Sequence, residues 1–358
     1  MPVTREEPIT LVCAADAAYV RPLAAMMESA LANRRDGRPL DVYVLAGGIS
    51  PDDRARLASA WARHGARARW LEPGTSRFAG VPIWGRMSVT TYYKLAIGDL
   101  LPAGVRRAIW LDCDLLVLGD IATLWDADLN GHHALAVQDR VVPTVSSSFG
   151  IGPWRELGLA KDAPYFNAGV MLIDVDRWRR DGVAERAMAY LRTHHQSVYF
   201  WDQEGLNVVL AGRWGRLDEA WNCNLAVPGA FEEVAGRPGH GAAGGAGPWI
   251  LHFAGSIKPW AFPSRNRHRR LFYSYLDRTP WGAWRPEPSL SGRLIDAYEA
   301  SGLRRIAYPL EQFAMRAVRS VSRRTVAYQP GPRPGRREGP PASRERSRPS
   351  PRVGTTSP

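Results

Sequence analysis

Ala108-Ile109-Trp110-Leu111-Asp112-Cys113-Asp114-Leu115-Leu116-Val117 is the stretch on which the reading of this chain turns. An apolar run typical of a buried strand ends in two carboxylates spaced i and i+2, and an apolar run resumes at once. Charged groups are seldom left among apolar neighbours without a compensating partner. On a continuing strand, both carboxylates would point to one face. At a strand end, both would reach a single divalent cation. Hard cations take oxygen ligands and commonly share them with substrate phosphates. The pattern therefore reads as a metal and diphosphate site at the carboxyl end of a sheet strand, where open α/β folds bind ligands. Two solvated turn carboxylates would look the same in isolation, and the apolar frame on both sides argues against them.

Working outward, strand and helix patterns alternate. Ile9 to Ala15 is short and apolar and reads as a strand, and Val20 to Ala32 carries an apolar face at helical spacing. Asp41 to Leu45 is a second strand, ended by Gly47-Gly48. Ser50-Pro51-Asp52-Asp53 is a helix start, with a capping Ser, Pro in the first turn and acids at the positive end, and the helix should run to about His64. Arg67 to Leu71 reads as a third strand and Ser88 to Leu100 as a helix leading into the strand before Asp112. This alternation argues for an α/β sheet with parallel order. Further on, Ala134 to Val137, Gly169 to Ile173 and Trp249 to Phe253 read as strands, with helices over Asp176 to Leu191 and Gln203 to Leu210. Gly236 to Pro248 is rich in Gly and Ala and reads as a mobile surface loop.

Composition narrows the function classes. A chain of 358 residues suggests two domains or one large domain with appendages. Cys13, Cys113 and Cys223 are widely spaced, so neither a disulfide framework nor a thiolate zinc site is indicated, and reducing, cytoplasmic conditions fit. Met1 to Glu7 is polar and acid-bearing, and no signal peptide or long apolar span is expected. The 14 tryptophans include possible stacking surfaces for sugars as well as ordinary core packing. The net charge of +12 is concentrated after Arg265 and again after Arg304. Such charge suits phosphorylated substrates or anionic lipid, and no nucleic-acid module is present to favour the remaining option.

Several separated segments agree with one another. Ala14-Ala15-Asp16 follows the first strand, and Ser88-Val89-Thr90-Thr91-Tyr92-Tyr93-Lys94-Leu95 precedes the carboxylate pair. Leu124-Trp125-Asp126, Tyr165-Phe166-Asn167-Ala168-Gly169-Val170 and Trp201-Asp202-Gln203-Glu204 follow it, then Leu251-His252-Phe253-Ala254-Gly255-Ser256-Ile257-Lys258-Pro259-Trp260. Together these resemble the retaining glycosyltransferases of family 8, nearest the bacterial lipopolysaccharide galactosyltransferases and glucosyltransferases and more distantly glycogenin. The resemblance spans about Ile9 to Trp260 in order. It implies a GT-A fold: one Rossmann-like mixed sheet flanked by helices, here with a C-terminal helical appendage and a disordered basic tail. The expected division is a catalytic domain over 1–280, with its nucleotide-binding part over about 1–120 and its acceptor part over about 121–280. A helical basic appendage over 281–328 and a disordered tail over 329–358 follow.

The resemblance also implies roles. Asp112, Asp114 and His252 match the family's metal ligands. Two carboxylates and one imidazole leave positions for diphosphate oxygens, and imidazole favours Mn²⁺, with Mg²⁺ as the alternative ion. Gly255 would allow close backbone approach, and Lys258 would offer an ammonium to the leaving phosphates. Ala14 and Asp16 match the uracil-holding positions and Tyr19 could stack on the base, although Ala18 stands where relatives often have Asn. Lys94 matches a donor-contacting cation; Asn167, Ala168, Asp202 and Gln203 match the sugar-binding set; Asp139 matches an acceptor-side acid. Each has a plainer reading: a satisfied core histidine for His252, a solvated lysine for Lys258, a strand-end acid for Asp16, a core Tyr for Tyr19, a cap or turn for Asn167.

The implied enzyme is a Mn²⁺-dependent hexosyltransferase moving galactose or glucose from a UDP-sugar to a saccharide or lipid-linked saccharide, such as lipopolysaccharide core. Gln203, Asp202 and Lys258 are its catalytic candidates. Front-face attack by the acceptor is favoured over Asp202 as a nucleophile. The alternatives are a self-glycosylating protein like glycogenin and a catalytically silent sugar-nucleotide binder. Leu310, Phe313, Ala314, Ala317, Val318 and Val321 form a helical stripe flanked by arginines. That stripe either docks on the domain or holds the protein at an anionic membrane surface, which places it in the cytoplasm with a peripheral position on the inner face of the plasma membrane.

Overall fold

The computed structural model describes residues 7–84, 87–237, 247–262, 264, 266–288, 290 and 293–294. The arginine-flanked stripe at 310–321, the tail from 329 and residues 238–246 of the Gly/Ala-rich loop lie outside them.

The alternation in the first half becomes β1 (Ile9–Asp16), β2 (Leu40–Gly47), β3 (Ala66–Leu71) and β4 (Arg107–Leu111), with helices Val20–Ala32 and Pro51–Ala62 between the first three. Ser50 caps the second helix by accepting the Asp53 N–H at 3.1 Å. The remaining strands are β5 (Leu115–Val117), β6 (Ala134–Gln138), β7 (Phe166–Asp174), β8 (Trp214–Arg216), β9 (Cys223–Asn224) and β10 (Ile250–His252). The central sheet has seven strands in the order β3-β2-β1-β4-β7-β6-β8. β1 to β4 run parallel, and β7 is antiparallel to both its neighbours, so the sheet is mixed as expected. Side chains of β1 alternate between two cores: Leu11 and Cys13 face helix Val20–Ala32, and Val12 packs with Tyr92 and Trp110 on the other face. Burial on both faces explains why this strand reads as an unbroken apolar run.

Two features of this topology position the site. Strand order reverses at β1, which lies between β2 and β4, so the ends of β1 and β4 open a crevice at a switch point. β7 runs back beside β4, with Leu111 opposite Val170, and the Asp112 N–H donates to the Gly169 carbonyl at 2.9 Å. A register shift between Ala136 and Val137 of β6 breaks its ladder with β7 at this point, freeing backbone groups of Ala168 for other partners.

The chain does not continue as one strand through Asp112-Cys113-Asp114. It leaves the central sheet after Leu111 and starts a second, three-stranded sheet, β5-β10-β9, which the expected architecture did not include. β10 is antiparallel to β5, with His252 opposite Leu115. Other boundaries also differ. Ser88 to Leu100 is a 3-10 helix over Val89–Ala96 followed by one α-turn over Ile97–Leu100. The single helix expected over Asp176 to Leu191 is two, Val175–Arg180 and Val183–Thr193, broken at Gly182, whose φ of +58° suits glycine. β8, β9 and helices Ile121–Trp125, Ala230–Ala235 and Arg269–Leu276 went unread, because most are too short to display a period.

Candidate active site

Asp112 stands just past the end of β4. Trp110 lies two residues earlier and is buried, so its indole N–H needs a partner; it donates to Asp112 Oδ1 at 2.8 Å. Lys94 Nζ donates to the same oxygen at 3.0 Å. Both donors on Oδ1 leave Oδ2 available to another partner. Asp114, at the entry to the small sheet, is 14% exposed at its side chain. Its Oδ2 pairs with Lys258 Nζ at 2.5 Å, and its Oδ1 faces His252 Nε2 at 3.4 Å. Burial alone would raise the Asp114 carboxyl, but the Lys258 ammonium paired with it outweighs burial, and the carboxyl lies well below the usual carboxylate range.

β5 and β10 explain the meeting of Asp114 and His252. With His252 opposite Leu115, the residue before Leu115 lies alongside the imidazole, and the Phe253 N–H donates to the Asp114 carbonyl at 2.9 Å. Beyond β10 the chain turns at Gly255, whose φ of +79° favours glycine. The turn returns Lys258, which also donates to the Phe253 carbonyl at 2.6 Å. Asp112, Asp114 and His252 each offer a ligand atom, and these atoms lie within 4.8 Å of one another. Two carboxylates and an imidazole on one small gap suit a divalent cation of the Mn type, with further positions for phosphate oxygens.

Behind His252 runs a buried chain of amides. His252 Nδ1 is 2.8 Å from Asn222 Oδ1, and Asn222 Nδ2 donates to Asn167 Oδ1 at 2.9 Å. Asn167 Oδ1 also accepts the Gly169 N–H at 3.0 Å, while Asn167 Nδ2 donates to Asp139 Oδ2 at 3.0 Å. Asp139, expected on the acceptor side, is 5% exposed and is engaged by four donors. Its Oδ1 takes the Val141 and Val142 N–H groups at 2.7 and 3.0 Å, and its Oδ2 takes Asn167 and, at 3.1 Å, Gln203 Nε2. A depression lined by Asp139, Arg140, Asn167, Glu219, Asn222 and Asn224 opens beside it.

Gln203 and Asp202 start the helix Trp201–Val209, where Trp201 adopts φ +39°, a conformation costly for a bulky residue, and stacks on Trp84 with ring centroids 4.9 Å apart. Gln203 Oε1 accepts the Ala168 N–H at 3.0 Å, and Lys94 Nζ donates to the Ala168 carbonyl at 3.2 Å. Both Ala168 groups are available because the β6–β7 ladder is interrupted there. Lys94 also lies 2.8 Å from Asp202 Oδ2. Burial would lower the Lys94 ammonium, but Asp112 and Asp202 outweigh burial and raise it, so it stays charged. Burial raises the Asp202 carboxyl, opposed by Lys94 and reinforced by Asp112.

At the end of β1, Asp16 Oδ1 accepts the Ala18 and Tyr19 N–H groups at 3.0 and 3.2 Å, capping a short 3-10 turn. The plainer reading of Asp16 as a strand-end acid is thus realised for one of its oxygens. Tyr19 stands edge-on to Trp260 at 5.9 Å, and Burial first, then Asp114, raises its hydroxyl. The Ala14 carbonyl accepts the Cys113 thiol at 3.1 Å, tying β1 to the carboxylate pair. The structure therefore gathers Asp112, Asp114, His252, Lys258 and Lys94 around one gap, with Asn167, Ala168, Asp202, Gln203 and Asp139 adjoining.

Three participants were not read from the sequence as such. Trp110 was read only as strand. Gly169 was read only as part of a motif, yet a Cβ there would lie 2.5 Å from His252 Cε1. Asn222 was not singled out at all; its one local cue is an amide flanked by Trp221 and Cys223.

Residues 10–263 match the family described as Glycosyl transferase family 8. General stress protein A of Bacillus subtilis is 29% identical over 283 residues, covering 77% of this chain and 96% of that protein. The lipopolysaccharide 1,2-glucosyltransferase of Escherichia coli is 22% identical, covering 78% of this chain and 80% of its own length. Among solved structures, the galactosyltransferase LgtC, determined with donor and acceptor sugar analogues, superposes with a TM-score of 0.65 at 26% identity, covering 78% of this chain and 98% of that one. The seven-stranded mixed sheet flanked by helices matches the GT-A fold of that structure.

Proposed function

Because this chain belongs to glycosyl transferase family 8, we propose that it moves a hexose, galactose or glucose, from a UDP-sugar to a saccharide or lipid-linked saccharide such as lipopolysaccharide core, with retention at the anomeric carbon. The observation that carries this reading is the convergence of Asp112, Asp114 and His252 on one gap, with Lys258 on Asp114. A Mn²⁺ ion, or Mg²⁺, held by those three residues would neutralise charge on the donor diphosphate.

The chain's own groups take the other roles. Ala14, Asp16 and Tyr19 lie at the end of β1, where the uracil would sit. Lys258 leaves Asp114 for the departing phosphate and offsets the negative charge growing there. Gly255 shapes the turn that brings Lys258 in. Lys94, Asn167, Ala168, Asp202 and Gln203 surround the hexose, and Asp139 faces the acceptor side through Gln203 and Asn167. Gln203 has both arms of its amide engaged, by Ala168 and Asp139, which suits orientation better than nucleophilic attack. Asp202 is buried and paired with Lys94, which favours a positioning role for it too. The acceptor oxygen then attacks the anomeric carbon from the face the diphosphate leaves. The bond to the phosphate oxygen breaks, and the acceptor proton passes to that oxygen.

Among the described residues, no helix is long and apolar enough to cross a membrane. The proposal places the protein in the cytoplasm, with the basic segment after Arg304 at the inner leaflet. The test of the activity is UDP release from a panel of UDP-sugars with Mn²⁺. Slow hydrolysis of a UDP-hexose is the expected result; silence with every UDP-sugar, with and without saccharide acceptors, overturns it. A chain ending at Gly302 should keep that hydrolysis and lose sedimentation with anionic liposomes.

A further inference from the structure

We propose that Asn222 is a positioning residue of the cation site: it fixes His252 as the tautomer with hydrogen on Nδ1, so that Nε2 turns a lone pair toward Asp112 and Asp114. This rests on the cation reading above and goes further, to the orientation of one ligand.

Taken alone, the 2.8 Å contact between His252 and Asn222 is ambiguous, because an amide can present oxygen or nitrogen and an imidazole nitrogen can donate or accept. The ambiguity is removed two residues away, by groups with only one role. The backbone N–H of Gly169 can only donate, so it must face an oxygen of Asn167. The Asp139 side chain already takes the Val141 and Val142 N–H groups on one oxygen and the Gln203 amide on the other, so it faces the nitrogen of Asn167 as a further acceptor. Those two anchors sit on opposite arms of the Asn167 amide and demand the same orientation. With Asn167 Oδ1 pointing to Asn222, the Asn222 atom 2.9 Å away must be the donor Nδ2. That leaves Asn222 Oδ1 for His252, and an oxygen there requires hydrogen on Nδ1.

Burial makes the arrangement costly to break. Asn167, Asn222 and His252 are 8%, 3% and 4% exposed, so water cannot readily replace a misplaced partner. Gly169 closes the same circuit sterically: a Cβ there would lie 2.9 Å from His252 Nδ1 and 3.0 Å from Asn167 Oδ1. Outer partners of this kind orient a metal-ligating histidine, and losing one typically weakens metal binding about 10- to 100-fold.

The tautomer can be read without metal or turnover, from imidazole nitrogen shifts of the full chain labelled with ¹⁵N-histidine, at a pH where His252 is neutral. Its signals are assigned by their loss in His252→Gln. The expected spectrum has a protonated Nδ1 and a bare Nε2. In Asn222→Leu, of similar shape but with no oxygen, the Nε2–H form should appear and the Mn²⁺ dissociation constant, followed by the electron paramagnetic resonance of free Mn²⁺, should rise about 10- to 100-fold. An Nε2–H wild-type spectrum overturns the proposal, as does an Asn222→Leu protein with unchanged tautomer and Mn²⁺ affinity within twofold. If that variant does not fold, the wild-type spectrum decides alone. Wild-type protein that binds no Mn²⁺ overturns the underlying cation reading instead, which the metal-free spectrum distinguishes.

Discussion

Gly169 faces the His252 ring so closely that a Cβ on it would lie 2.5 Å from Cε1, well inside van der Waals contact. The Gly169 carbonyl meanwhile accepts the Asp112 N–H at 2.9 Å. One glycine thus borders both the imidazole and a carboxylate of the proposed cation site. Its conformation is not left-handed, so the close approach alone requires the missing side chain. Gly169→Ala should push the imidazole off its position and weaken Mn²⁺ binding by about tenfold or more, as measured by Mn²⁺ titration of folded protein.

Asp114→Asn removes a proposed cation ligand and the partner of Lys258. Turnover should fall at least about 100-fold, because a catalytic metal supplies several kcal/mol of transition-state stabilisation. EDTA should abolish wild-type activity and Mn²⁺ should restore it. Full activity in EDTA would rule out the metal assignment.

Lys94 lies between Asp112 and Asp202, at 3.0 and 2.8 Å, and its side chain is 6% exposed. Removing one partner of a buried pair costs about 3–5 kcal/mol, so Lys94→Met should lower unfolding stability on that scale. Burial already raises Asp202, and loss of Lys94 raises it further. The folded variant would then hold a proton that the unfolded chain releases, so its deficit should grow as pH rises above the ordinary carboxylate range. Adding Asp202→Asn should recover much of the loss, read by urea unfolding.

Gln203→Ala should lower turnover while leaving UDP-sugar affinity within a few fold if, as proposed, the amide orients a group that matters mainly in the transition state. Calorimetry with the donor separates the two. A large loss of binding with unchanged turnover would contradict this role.

Glu204 is fully buried beside Gln203, with Tyr190 donating its hydroxyl at 2.7 Å and the Tyr199 N–H donating at 2.7 Å. Burial pushes its carboxyl up to about 8, against an ordinary value of 4.5. Between those values the folded chain keeps a proton that the unfolded chain has released. The contribution is therefore fully present below about 4.5 and is lost as pH rises towards about 8. Glu204→Gln should flatten the fall in stability across that window, measured by urea unfolding at several pH values.

Much of the fold was legible because local patterns report burial. The unbroken apolar run of β1 comes from cover on both faces, and Ser50-Pro51-Asp52-Asp53 carries its own capping chemistry. Gly182 is a turn signal that the period of the flanking apolar residues hid, so two helices were read as one. β8 and β9, of three and two residues, have no period to detect and exist only through their neighbours. Within the site, Asp112 and Asp114 stood out because they interrupt an apolar run, whereas His252 and Lys258 were picked out by the family resemblance of the segment from Leu251 to Trp260. Gly169 carries no such contrast, and Asn222 shows only a single amide between Trp221 and Cys223.

The sequence by itself determined the α/β class and the pair of carboxylates at the end of β4, since apolar periodicity and isolated charges are properties of short segments. Only the tertiary structure decided that the carboxylate pair bridges two sheets, because that depends on β10 choosing β5 as its antiparallel partner. It alone decided that Lys94 is shared by Asp112 and Asp202, and that an amide chain from Asp139 ends on His252. Those relationships depend on register between strands far apart in the chain, and a hydrogen bond exists only when register and burial bring one donor to one acceptor.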